Sequence, residues 1–159
     1  MAHAPGALIT MDELDAASRV VQEMSDDAHR RGSVVGYAAA SIYHAWIRAQ
    51  RGSLMDGEAH LRSGVDLSRE HGLTFWLPSA FQCGIDILLE RPSVDDMSLL
   101  VESLTLPASL AATISGAFVL AVRGRLRLAG GQRPEAIADL RRAGGIALGA
   151  RVINPLWLL

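Results

Sequence analysis

One feature constrains this chain more than any other: a turn returns every 39 or 40 residues. Gly52, Arg91 and Gly131 each end one helix-length segment and begin the next. Seven residues before each turn stands a small residue, Ala45, Gly84 or Gly124, and nine after it a leucine, Leu61, Leu100 or Leu140. Gly64, Ser103 and Ala143 follow at twelve, and Gly57, Asp96 and Ala136 at five. Antiparallel helices approach closely only where side chains are small, and a leucine one turn away fills the groove beside that contact. A single hairpin cannot bury both of its apolar faces, so hairpins of this kind stack. The expected fold is all-α, a helical-hairpin solenoid of about seven helices in a single helical-repeat domain over 1–159.

Punctuation sets the expected boundaries. An orphan helix runs over 11–31, with Thr10 as N-cap, Asp12 and Glu13 in the first turn, and Arg30, Arg31 and Gly32 closing it. Its Ala17, Val21 and Met24 match the offsets of a second hairpin helix, and Gly32 and Gly72 stand 40 residues apart. Hairpins are expected over 34–71, 77–104 and 108–149, followed by an apolar tail over 150–159. Pro92 and Pro134 suit the first turns of two of these helices. No segment alternates with period two, so no strand is expected.

Composition narrows the chemistry. All fifteen basic residues are arginines, and a chain without lysine has neither a Walker-A P-loop nor a Schiff-base nucleophile. The net charge is −2, which gives no general attraction to nucleic acid or anionic membrane. Residues 1–104 hold 8 Arg against 15 acids and residues 105–159 hold 7 against 2, and no aromatics interleave with those arginines. Cys83 is the single cysteine, which fits a reducing, cytoplasmic setting. Residues 1–10 have no basic lead of a signal peptide. The uncharged stretch 103–122 contains Pro107 and reads as a buried helix, not a membrane span.

Candidate reactive groups do not assemble into a known arrangement. His3, His29, His44, His60 and His71 form no HxxxH or HExxH pair, so no metal and no cofactor is expected. Asp26–Asp27 and Asp95–Asp96 read as solvated charges near helix ends. Ser115 lacks the glycines of a nucleophile elbow.

The spacing at Gly124, Gly131, Ala136, Leu140 and Ala143 resembles the tetratricopeptide (TPR) repeat, although the period is longer than the standard unit. Arg91 and Asp96 depart from that motif. The phrases RRGSVVGYAAAS, RGSLMDGEAHLRSGVDLSREHGL, GRLRLAGGQRPEAIADLRRAGG and GARVINP are similar to the TPR-like region of large ATP-binding LuxR-type transcriptional regulators, over residues 14–155. That family places such a region between an ATPase module and a DNA-binding helix-turn-helix, neither of which is present in this sequence.

The resemblance implies a non-catalytic sensor that binds a protein, peptide or small effector on its concave face. By TPR groove positions that face would carry Ile42, Trp46 and Ala49, then Phe81, Ile85 and Leu88, then Ala121, Arg125 and Leu128. Arg125 interrupts an apolar helix and suits an acidic partner, whereas Arg123 and Arg127 read as solvated. A free-standing TPR-like adaptor is the alternative, and a small α-helical enzyme a weaker one. The tail, with Val152, Ile153, Leu156, Trp157, Leu158 and Leu159, predicts self-association through an exposed end.

Overall fold

A computed structural model describes residues 4–73, 77–90 and 112–150. Among these residues the chain is all-helical, with seven helices and no strand: α1 (Ala4–Thr10), α2 (Leu14–Arg31), α3 (Val34–Gln50), α4 (Leu54–Glu70), α5 (Leu77–Glu90), α6 (Ile114–Ala129) and α7 (Arg133–Gly149). The expected helix over 92–104, with Leu100 and Ser103, lies outside the described residues, as do residues 151–159 of the expected tail. The described helices include none long and apolar enough to cross a membrane.

One local device ends five of the helices. Asp12, Gly32, Gly52, Gly72 and Gly131 all have positive φ, between 61° and 80°. The next residue in each case donates its N–H five residues back: Glu13 to Leu8, Ser33 to Ala28, Ser53 to Arg48, Leu73 to Ser68 and Gln132 to Arg127, at 2.7–2.9 Å. This closure satisfies end carbonyls at the cost of a left-handed residue, which glycine adopts freely. The first four closures fall 20 residues apart, so each helix with its turn takes 20 residues. At the other ends, the Ser33 and Thr113 side chains accept from the Gly36 and Gly116 amides at 3.2 and 3.1 Å.

Helix α1 corrects the reading of residues 4–13. Thr10 is not the cap of a helix starting at 11; it ends α1, and its Oγ1 donates to the Ala7 carbonyl at 2.8 Å. Helix α2 begins at Leu14 and has α1 packed against it, so it is not an orphan.

The chain divides into two compact units, Met1–Glu90 and Arg91–Leu159. In the first, each helix packs on the next, and α3 also packs on α1 and α5. One core cluster joins Ile9 to Ala17, Val21, Ala40, Tyr43 and Ile47; a second joins Ile42 and Ala45 to Leu61, Val65, Ala80 and Ile87. In the second unit α6 packs on α7 around Ala117, Leu120 and Ala143.

Small residues set the helix separations. A Cβ on Gly124 would stand 2.7 Å from Leu140 Cγ, so this hairpin has the expected small-against-leucine contact. A Cβ on Gly84 would overlap the methyls of Leu61 and stand 3.1 Å from its Cγ. Leu61 therefore reaches forward from α4 to α5 as well as back to Ala45 on α3. The leucine wedges between hairpins and not only within one.

Candidate functional site

The two hairpins whose helices are both described, α3–α4 and α6–α7, carry polar side chains at the same four distances from their turns. Eight residues before the turn glycine stand His44 and Arg123; four before, Arg48 and Arg127; four after, Asp56 and Glu135; eight after, His60 and Asp139. Helical spacing of four keeps each pair on one stripe of its helix, and the antiparallel turn brings the two stripes together.

In α6–α7 this seam is closed by charge pairing. Arg123 donates from Nε and Nη2 to the two oxygens of Asp139, both at 2.7 Å, and Arg127 donates from Nη1 to Oδ2 at 2.6 Å. The Asp139 side chain is 8% exposed. Its hydrogen bonds hold the Arg123 guanidinium above its ordinary pKa, despite the opposing effect of burial. Arg127 Nε is buried there without a partner among the described residues. Arg123 and Arg127 are thus not the solvated pair expected: a carboxylate on the facing helix draws both inward.

In α3–α4 the same seam is a pair of stacked imidazoles. The His44 and His60 rings lie 5.2 Å apart between centroids and 26° from parallel. Burial lowers the pKa of His44, and His60 and then Arg48 lower it further. Burial and then Arg48 lower that of His60, against a smaller raising effect of Asp56. Stacked rings point their nitrogens in parallel directions, which is unsuited to sharing one metal ion. Among the described residues no group of three or more His, Cys, Asp or Glu side chains converges to hold a metal.

The expected groove residues fall into different environments. Ile42 and Ile85 are 3% and 1% exposed, so neither offers surface to a ligand. Ile42 is core because α4 and α5 both close over that side of α3, as they do over any inner helix of a stack. Ala49 and Leu88 pack at the edge of the same cluster. Trp46 is half-buried and packs instead on the cluster that α1 completes, with Gly6 of α1 against the Tyr43 and Trp46 rings. Phe81 belongs to α5, and its side chain lies outside the described residues. On α6, Ala121 packs beside the core, Arg125 is half-buried, and Leu128 is 50% exposed. The structure therefore brings together Ile42, Ala49 and Leu88, in packing and not in a groove.

Cys83 is no nucleophile at neutral pH, because burial pushes its thiol up to about 12. Sequence reading missed the histidine pair and Asp139, since it searched for motifs along one helix. Equal spacing on either side of Gly52 and Gly131 was the available signal. Comparison of the chain with protein-family models, curated proteins and solved structures finds no match.

Proposed function

We propose that this chain is a non-catalytic sensor and interaction segment, a TPR-like solenoid of helical hairpins of the kind found in LuxR-type ATP-binding regulators. One observation carries the reading: α3–α4 and α6–α7 repeat the same register of turn glycine, apolar wedge and polar seam. Contacts of α3 with α1 and α5 support stacking of successive hairpins. A binding partner or effector on such a surface would act by favouring one of two states of attached modules, with no chemistry of its own. The flanking ATPase and helix-turn-helix would supply nucleotide hydrolysis and DNA contact, in a cytoplasmic protein.

The coding DNA on either side of this segment tests the reading. A P-loop module upstream and a helix-turn-helix downstream are expected, and unrelated reading frames on both sides overturn it. Calorimetry of the chain with ATP should show no binding; micromolar affinity would count equally against a purely non-catalytic segment.

A further inference from the structure

The two polar seams differ in one respect. In α6–α7 a carboxylate, Asp139, sits between two guanidiniums. In α3–α4 the position of that carboxylate holds His60, so His44, Arg48 and His60 meet with no anion among them. Arg48 is half-buried and makes no hydrogen bond or ion pair within the chain, among the described residues. A half-buried guanidinium has lost water without gaining an acceptor, and such a group binds an anion readily. Asp56, the acid that acts on His60, is exposed and forms no ion pair with Arg48.

We propose that His44, Arg48 and His60 form a binding site for a carboxylate group of a ligand, which takes the place that Asp139 holds in the other hairpin. Arg48 presents the planar fork that carboxylates accept in bidentate fashion, and each imidazole adds one N–H donor. The free pair stays neutral at pH 7, because burial and the nearby Arg48 disfavour its protonation. A bound carboxylate reverses that balance, so binding takes up a proton and tightens as pH falls. The charged groups acting on the pair are Arg48 from α3 and Asp56 from α4. The ligand group is either a small dicarboxylate or a Glu or Asp side chain of a partner protein. The site deepens the reading of the chain as a binding module and rests on it, but its test reads the chain alone. Its failure is therefore distinct from failure of the regulator assignment, which flanking DNA decides.

The experiment follows the histidine ring protons of the full chain by NMR while succinate, or a neutral peptide bearing one glutamate, is added. Both probes are expected to shift the His44 and His60 signals and raise their titration midpoints. Affinity should rise about 10-fold between pH 7.5 and 6.0, as expected for uptake of about one proton. Arg48→Ala should weaken binding by about 10-fold or more. The double variant His44→Arg/His60→Asp rebuilds the other seam, and should be folded by circular dichroism yet bind neither probe. Succinate binding as tightly as the peptide assigns a small-molecule ligand; peptide binding alone assigns a protein side chain. Unmoved histidine signals with both probes overturn the site, as does equal binding by the parent and the double variant.

Discussion

Arg123 and Asp139 stand eight residues before and eight after Gly131, and their side chains meet through two hydrogen bonds of 2.7 Å. His44 and His60 hold the same positions about Gly52 and stack instead. The hairpin geometry thus brings one pair of positions together twice, and the residues placed there decide whether the seam is an ion pair or an open cluster of donors.

Removing the anion from the closed seam should cost most. Asp139→Ala leaves two largely buried guanidiniums facing each other, and should destabilise the chain by about 2–4 kcal/mol. Arg123→Ala should cost less, because Arg127 still neutralises Asp139, and Arg127→Ala least, because the two-bond pair survives. Urea unfolding followed by circular dichroism ranks the three, and any other order removes Asp139 as the centre of the cluster.

The histidine pair predicts a loss of stability in mild acid. Both folded pKa values lie below the ordinary 6.5, so below that pH the unfolded chain binds protons more readily than the folded one. Stability from this source is full above pH 6.5 and falls as pH drops from there through the folded values. The urea midpoint of the parent should decline between pH 7 and 5 more than that of His44→Gln/His60→Gln. Parallel declines would show that the pair does not contribute.

The contact between Gly84 and Leu61 predicts non-additivity. Leu61 is 4% exposed, so Leu61→Ala should cost about 2–4 kcal/mol. Gly84→Ala forces Leu61 aside, at a net cost of about 1–2 kcal/mol after the gain of about 1 kcal/mol in helix propensity. In the Leu61→Ala background the same substitution should be neutral or stabilising, since the overlap is gone. A double-mutant cycle with no coupling would place the two residues apart.

Asp12 occupies the left-handed position that glycine fills at the other four closures. Asp12→Gly should therefore stabilise the α1–α2 closure by about 0.5–1 kcal/mol. The test is amide exchange in α1, which should slow by about 2- to 5-fold if α1 opens locally. Unchanged or faster exchange would show that the Asp12 side chain contributes something its backbone strain does not reveal.

Much of the helical framework was already determined by local sequence. Glycines that close helices, hydroxyl caps and the absence of period-two alternation act over one or two turns, and they place α3 at Val34, α4 at Leu54 and the α6–α7 turn at Gly131. Helix α1 escaped because its closing residue is Asp12, and aspartate signals a helix start as readily as a left-handed end. Contacts between helices were another matter. An apolar residue on an amphipathic helix has the same sequence signature whether a neighbour or a ligand covers it, so Ile42 and Ile85 read as groove residues until α4 and α5 closed over the one and burial claimed the other. The sequence also carried His44, His60, Arg123 and Asp139 without saying that they meet, because partners sixteen residues apart are joined only when a hairpin folds back. Charge pairing and desolvation belong to that closed geometry. Tertiary structure alone decided that Arg123 and Arg127 leave solvent for Asp139, and that Arg48 is left without an acceptor among the described residues.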